Sequence, residues 1–161
     1  MTMVLREATP ADLPDLAPFL QRELTAWGFD AHTTTATVRA LFMQRRRYAY
    51  VTEDDSIVAV GAFHPIETER GPAYEIPIFV SSIDHPDKLR VMDALALFIC
   101  NLLRSEGILY LISRRPDHPH IASLYARYGF VQEEGHSFRS VLTETPIANV
   151  LRERPEWRPS P

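Results

Sequence analysis

The residues best suited to bind a ligand lie between Glu75 and Leu103. The stretch from Ile76 to Val80 is rich in β-branched and aromatic residues, which predicts a strand, and Ser81 to Pro86 is typical of a loop and a helix start. A strand leading into a helix N-terminus commonly binds anions, because free backbone N–H groups and the helix dipole point at the ligand. If the protein has a ligand, we expect it at the mouth of this unit.

A second group of potentially reactive residues is the histidine-rich segment Asp117-His118-Pro119-His120, with His85 elsewhere in the chain. Histidine and aspartate are metal ligands, but Pro119 interrupts the segment and no spacing of the HExxH kind is present. Histidines at a helix start are usually solvated or act as caps. We therefore expect no metal site.

Composition limits the classes of function. The 161 residues are 45% hydrophobic and 24% charged, which suits a soluble domain, and the net charge of −4 does not favour binding to nucleic acid or to anionic membranes. The single cysteine, Cys100, allows no internal disulfide and is expected to be buried. Because the first residues do not form a signal peptide and no apolar run reaches membrane-spanning length, the prediction is a cytoplasmic protein.

Hydrophobic periodicity predicts an α/β protein with a mixed sheet and helices on both faces. The predicted order of elements is β-α-α-β-β-β-α-β-α-β-β. The predicted strands are Met3 to Ala8, Arg47 to Glu53, Ser56 to Phe63, Ala73 to Val80, Ile108 to Ser113, Phe130 to Glu133 and Ser137 to Leu142. Asp54-Asp55 is predicted to form a hairpin turn, and Glu67 to Pro72 a polar connection.

Four helices are expected between these strands. Thr9 is predicted to cap the first helix, which runs to about Trp27, and Thr34 to Arg45 forms the second. The apolar stripe of the long third helix consists of Met92, Leu95, Ala96, Ile99, Leu102 and Leu103. The penultimate helix carries Ile121, Leu124, Tyr125 and Tyr128 and ends at Gly129.

The domain prediction is a single domain over residues 1–144 with a tail over residues 145–161. The tail contains four prolines and three arginines and shows no clear periodicity. It is therefore expected to be disordered or to lie extended on a partner.

The element order, together with the segment Leu124-Tyr125-Ala126-Arg127-Tyr128-Gly129-Phe130 and the opening LREATPAD, resembles the GNAT superfamily of acyl-CoA-dependent N-acetyltransferases. The resemblance covers roughly residues 3 to 143. It implies that acetyl-CoA enters a cleft where the strand Ala73 to Val80 splays from Ile108 to Ser113. Backbone at Phe79, Val80 and Ser81 would bind the pantetheine arm. Pro77 fits a broken strand ladder, although an irregular or edge strand without a ligand explains it equally well.

The resemblance also assigns catalytic roles. Glu75 would be the base that takes a proton from the attacking amine, and Tyr125 the acid that protonates the departing thiolate. Strict alternation places Glu75, Pro77 and Phe79 on one face of the strand. The alternatives are that Glu75 is a carboxylate at an exposed strand start, and that Tyr125 is a core aromatic whose hydroxyl bonds to backbone.

The sequence departs from the family at the loop that cradles the coenzyme pyrophosphate. The family motif Q/R-x-x-G-x-G/A falls on Asp87-Lys88-Leu89-Arg90-Val91-Met92, where both glycines are missing. Asp84 and Asp87 put negative charge where phosphate would bind, although Lys88 and Arg90 are able to supply side-chain contacts instead. His118 stands in place of the family's asparagine near the start of the penultimate helix.

Two hypotheses follow. The first is an N-acetyltransferase that moves an acetyl group from acetyl-CoA to a small-molecule or peptide amine, with Glu75 and Tyr125 catalytic and Lys88, Arg90, Met92 and His118 near the coenzyme. The second is a catalytically silent protein with the GNAT fold, such as a phage virion or assembly component, that binds a protein partner through residues 145–161.

Overall fold

The computed structural model describes residues 2–43, 45–69, 71–114, 127–128, 131–132, 142–148 and 150. The described strands are β1 (Met3–Glu7), β2 (Arg47–Glu53), β3 (Ser56–Thr68), β4 (Gly71–Ser81), β5 (Tyr110–Arg114), β6 (Val131–Gln132) and β7 (Leu142–Pro146). The described helices are α1 (Leu13–Ala26), α2 (Ala31–Ala40) and α3 (Lys88–Ser105). This is the predicted order, except that the predicted penultimate helix lies mostly outside the described residues. The last described strand, β7, shares only Leu142 with the predicted strand Ser137 to Leu142, whose other residues lie outside the described ones.

The seven strands form one mixed sheet in the order β1-β2-β3-β4-β5-β7-β6. Strands β4 and β5 are parallel, and the other neighbouring pairs are antiparallel. Helices α1 and α2 cover one face of the sheet, and α3 covers the other. The predicted fold class, a mixed sheet with helices on both faces, is confirmed.

Helix α3 packs very closely on the sheet at Gly61. A Cβ added to Gly61 would lie 2.8 Å from Ile99 Cδ1, so the Ile99 side chain would have to move to make room for any larger residue. The apolar stripe that predicted α3 is buried here, apart from the partly exposed Leu102. The close contact fixes α3, and therefore the connection that precedes it, relative to β4.

Several predicted boundaries are wrong, and helix α2 ends at Ala40 rather than at the predicted Arg45. Thr9 does not cap α1, because the Asp12 carboxylate bonds back to the Thr9 N–H and hydroxyl, and the helix begins at Leu13. Helix α2 begins at Ala31 rather than Thr34, because the Asp30 carboxylate caps it by accepting from Thr33 N at 2.7 Å. Strand β5 begins at Tyr110 rather than Ile108.

The hairpin turn at Asp54-Asp55 is confirmed, since both residues have positive φ as a two-residue turn of the I′ type requires. The predicted polar connection from Glu67 to Pro72 is too long. Strand β3 continues to Thr68 and β4 already begins at Gly71, where the two strands pair. The tight turn makes β3 and β4 a long hairpin that extends beyond the first residues of β2.

The boundary predicted for the C-terminal tail is also wrong. Thr145 and Pro146 belong to β7 and pair with Leu111 and Tyr110 of β5. Ile147 and Val150 are 1% exposed and belong to the core beside α3. The fold therefore extends at least to Val150, and residues 151–161 lie outside the described residues.

Candidate functional site

The sheet opens between its two central parallel strands. Pairing of β4 with β5 ends at Glu75 and Ile112, although β4 continues to Ser81 and β5 to Arg114. Parallel strands that stop pairing while both continue leave a cleft between their backbones. The splay implied by the family resemblance is therefore present, and Glu75 lies at its inner end.

A β-bulge at Ile76-Pro77 decides which way the Glu75 side chain points. His64 of β3 pairs with Glu75 and Ala62 pairs with Ile78, so Phe63 alone faces two residues of β4. The extra residue reverses the alternation: Phe79 packs with α3, whereas Ile78 packs with α1 and α2. Glu75 therefore shares a face with Ile78, and the prediction that it shares one with Phe79 is wrong.

Glu75 is paired with a histidine that sequence reasoning did not select as a reactive group. The Nε2 atom of His64 lies 3.0 Å from Oε2 of Glu75, and the two side chains are 24% and 13% exposed. When the neutral ring donates from Nε2, Nδ1 carries a lone pair. Nδ1 is buried and finds no hydrogen-bond partner among the described residues.

Two side chains of α1 hold the connection that leads from β4 to α3. The Glu23 carboxylate accepts from Ile83 N at 2.9 Å and from the Ser82 hydroxyl at 3.3 Å. The indole N–H of Trp27 donates to the Ser81 carbonyl at 2.8 Å. Glu23 is buried within the apolar stripe of α1, and a charged residue in that stripe was the signal that sequence reasoning missed.

The first turn of α3 is tied to β2 through a buried carboxylate. Glu53 accepts from Arg90 Nη2 at 3.0 Å and lies 3.1 Å from His85 Nε2. Asp87 N donates to His85 Nδ1, so the proton of the neutral His85 ring is on Nε2 and points at Glu53. This network was not expected, because its members are far apart in the sequence.

The predicted coenzyme residues Lys88 and Arg90 lie at this helix start, but both have partners within the protein. Lys88 Nζ donates to the His85 carbonyl at 3.0 Å, and Arg90, whose side chain is 39% exposed, bonds to Glu53. The Asp87 carboxylate caps the helix by accepting from Arg90 N. A phosphate arriving here would compete with Glu53 and Asp87 for the same groups.

The remaining predicted site residues fall in two places. The Met92 side chain is buried in the core against the sheet, and Phe79, Val80 and Ser81 are buried on β4 beside the cleft. Tyr125 and His118 lie outside the described residues, so their roles stay predictions. The short segment Arg127-Tyr128, which follows Tyr125 in the sequence, is described.

Asp93 of α3 anchors that segment. It is 1% exposed, and its carboxylate accepts from the Tyr128 hydroxyl at 2.7 Å and from Arg127 Nη2 at 2.7 Å. The Tyr128 ring also meets Phe79 edge to face, with centroids 6.1 Å apart. A buried carboxylate needs such partners, and they fix the chain that follows the predicted acid Tyr125 against β4.

A cavity of about 20 Å³ lies between the cleft strands and α3. It is lined by Ile76, Phe79, Ala96, Cys100, Leu111, Tyr128 and Val150. Burial raises the pKa of the Cys100 thiol to about 12, so the thiol is protonated at neutral pH. As expected, Cys100 is a buried small side chain and is unsuited to be a nucleophile.

A larger cavity of about 650 Å³ lies elsewhere, between α1 and the strands β1 to β3. Arg6, Asp12, Arg22 and Tyr50 line it, and neither member of the His64–Glu75 pair does. The Thr9 N–H lowers the pKa of Asp12, while burial raises the pKa of Tyr50. The size of this larger cavity is therefore not evidence that it belongs to the β4–β5 cleft.

Within the described ranges, no three histidine, cysteine, aspartate or glutamate residues are grouped as a metal site would require. The predicted absence of a metal stays a prediction, since His118 and His120 lie outside those ranges. The helices that the structure describes include none long and apolar enough to span a membrane.

Comparison with known proteins identifies the fold. No known family model matches the sequence, and no curated protein matches it. The PaiA N-acetyltransferase of Thermoplasma acidophilum, solved in complex with coenzyme A, is similar with a TM-score of 0.73 and 13% identity, over 91% of this chain and 99% of that chain. A putative GNAT-family acetyltransferase from Desulfovibrio desulfuricans has a TM-score of 0.73 at 16% identity, over 91% of this chain and 99% of that chain.

A predicted acetyltransferase from Clostridium acetobutylicum, solved with acetyl-CoA, has a TM-score of 0.67 at 16% identity and covers 84% of this chain and 94% of its own. At such low identities the similarity establishes the fold. The chain has the GNAT fold, and the predicted resemblance is confirmed at that level.

Proposed function

We propose that the protein is an N-acetyltransferase that moves an acetyl group from acetyl-CoA to an amine. The observation that carries the proposal is the His64–Glu75 pair at the inner end of the β4–β5 cleft. Similar structures with coenzyme A or acetyl-CoA bound support the choice of cosubstrate.

The cleft fits a coenzyme better than the helix start does. An extended pantetheine arm needs strand backbone with open hydrogen-bonding positions, and β4 continues to Ser81 after its pairing with β5 has ended. At the start of α3, the N–H groups of Asp87 and Arg90 already have protein acceptors. Lys88 and Arg90 would therefore hold the phosphates with their side chains.

Acetyl-CoA supplies an activated thioester, and the protein must provide a free amine and a proton for the departing thiolate. His64 is the group we assign to take the proton from the incoming ammonium, because its ring is 24% exposed and its Nδ1 has no partner among the described residues. Glu75 bonds to Nε2 and so holds the ring in place. Tyr125 remains the predicted acid that protonates the thiolate.

The test is the thermal stability of the protein with and without acetyl-CoA, combined with amine-dependent release of free thiol. A ligand at a hundredfold excess over its Kd stabilises a protein by about 2.7 kcal/mol, which for a chain of this size raises Tm by roughly 5–10 °C. Pantetheine and adenosine 3′,5′-bisphosphate, tested separately, report on the cleft and on the helix start.

A shift with acetyl-CoA together with thiol release on addition of an amine is the expected result. Neither a shift nor turnover at millimolar acetyl-CoA would contradict the proposal and leave the catalytically silent protein. Deleting residues 145–161 does not test that alternative cleanly, because Ile147 and Val150 belong to the core.

A further inference from the structure

The segment that joins α2 to β2 exposes apolar and basic side chains together. Phe42 is 64% exposed and Met43 60% exposed, and Arg39 and Arg45 beside them are exposed as well. Arg46 is partly exposed. We call the surface formed by Arg39, Phe42, Met43, Arg45 and Arg46 the α2 patch.

The α2 patch is held in place by the backbone. Leu41 is 1% exposed and packs in the core under α1 and α2. Turn hydrogen bonds join Phe42 N to the Arg39 carbonyl, Met43 N to that of Ala40 and Arg46 N to that of Met43. Two large apolar side chains presented by such turns are typical of an interaction surface, particularly when polar residues surround them.

The α2 patch carries positive charge. The neighbouring Arg47 pairs with Glu7 and Glu106, at 2.6 and 2.7 Å. Arg39, Arg45 and Arg46, in contrast, form no ion pair with any residue that the structure describes. In a chain with a net charge of −4, this makes a local positive field that favours an anionic partner.

The α2 patch lies at the same end and on the same face of the sheet as the His64–Glu75 pair. Arg47, which follows the patch, pairs with Phe63, and the next residue of β3 is His64. Helix α2 covers the face that holds Ala62 and Ile78. Alternation along β3 puts His64 on this face, and the bulge in β4 puts Glu75 there too. A molecule bound to the patch would therefore extend towards the pair.

We propose that the α2 patch docks an acidic, partly apolar segment of a protein whose amine is acetylated at the His64–Glu75 pair. The inference rests on the proposed function and specifies its acceptor. Acidic side chains complement the three arginines, and apolar ones cover Phe42 and Met43. A small polyamine is disfavoured as the acceptor, because its ammonium groups would be repelled by the same arginines.

The experiment measures fluorescence anisotropy of a labelled 12-residue peptide with a free N-terminal amine and alternating glutamate and leucine. The matched peptide has lysine in place of glutamate. The protein variants are Arg39→Glu with Arg45→Glu, and Phe42→Ser with Met43→Ser. Arg45→Glu is also made alone. Its matched control is Arg104→Glu, which reverses an exposed charge in the last turn of α3, away from the patch.

The acidic peptide should bind more tightly than the lysine peptide, and the double charge reversal should weaken it by about tenfold. Arg104→Glu should change nothing, and added salt should weaken binding, as expected of exposed charges. Equal affinity for the two peptides, or an unchanged affinity of the double reversal, would overturn the inference. So would stronger binding to vesicles of anionic lipid than to the acidic peptide.

Because this assay needs no coenzyme, the two proposals fail separately. Peptide binding without any effect of acetyl-CoA on Tm would overturn the proposed function, and the docking of acidic segments would stand. An effect of acetyl-CoA without selective peptide binding would overturn the docking alone.

Discussion

His64 Nε2 and Glu75 Oε2 lie 3.0 Å apart across neighbouring strands, one residue before the bulge in β4. The bulge turns Glu75 towards the face covered by α1 and α2, where His64 also lies. The pair is thereby placed at the point where β4 leaves β5. A regular strand would have put the Glu75 carboxylate on the opposite side, beneath α3.

Replacing either member of the pair should reduce turnover. We expect His64→Gln and Glu75→Gln each to lower kcat by about 10²–10⁴-fold, because general acid–base catalysis contributes that much. The stabilisation of the protein by acetyl-CoA should be retained, since neither change touches the outer part of the cleft. Full activity of Glu75→Gln, measured by thiol release, would instead show that Glu75 is only a structural carboxylate.

The Glu53–Arg90 contact should restrain coenzyme binding. Glu53→Gln weakens the hold on Arg90, and we expect the Kd for coenzyme A to fall by about twofold to fivefold, because Arg90 is 39% exposed and solvent screens its contact with the buried Glu53 carboxylate. Arg90→Ala should raise the Kd for coenzyme A. Lys88→Ala removes the other side chain that we assign to the phosphates and should raise the Kd as well. Calorimetric titration measures all three. An unchanged Kd in Arg90→Ala would mean that Arg90 serves only the fold.

Asp93 should be one of the costliest polar residues to remove. Asp93→Ala leaves Arg127 and Tyr128 without their buried acceptor, and we expect a loss of about 3–5 kcal/mol in the free energy of unfolding. Tyr128→Phe removes one hydrogen bond to a charged group and should cost about 1.5–3 kcal/mol.

Urea denaturation of Asp93→Ala, Tyr128→Phe and the double variant measures the coupling between the two side chains. The double variant should lose less stability than the sum of the single losses, because both remove the same contact. Strict additivity would contradict the 2.7 Å contact between the Tyr128 hydroxyl and Asp93.

Stability at high pH should depend on Cys100. Burial raises the pKa of its thiol from 9.0 to about 12, so between these pH values the unfolded chain loses the proton while the folded chain keeps it. The contribution is fully present below about pH 9 and is lost, by about 1.4 kcal/mol per pH unit, as the pH rises towards the folded value.

Cys100→Ala should therefore show a shallower decline of the free energy of unfolding between these pH values than the wild type. Burial also raises the pKa of Tyr48 and Tyr50, but these residues are common to both proteins and cancel in the comparison. Equal slopes in urea denaturation would contradict the burial of the thiol.

Structural features that depend on a short stretch of residues could be predicted from the sequence. The apolar stripe of α3 and the hairpin turn at Asp54-Asp55 were both predicted, because periodicity and positive φ are properties of short segments. The bulge was not predicted, since Pro77 signals an irregular strand without saying which neighbour gains the extra residue.

Most of the polar contacts in the site could not be predicted from the sequence. Glu23, Glu53 and Asp93 are buried acids whose partners lie far along the chain, and composition alone makes each of them a solvated charge. The same limit applies to Ile147 and Val150. They follow a strand whose existence is evident only from its pairing with β5.

Hydrogen–deuterium exchange of the protein with and without acetyl-CoA shows whether the coenzyme binds in the β4–β5 cleft, because it both detects binding and locates it. We expect slower exchange of the backbone amides from Ile76 to Ile83, along the outer part of the cleft and the connection to α3. Unchanged exchange of these amides at saturating acetyl-CoA, or protection confined to the cavity beside Tyr50, would contradict binding in the cleft.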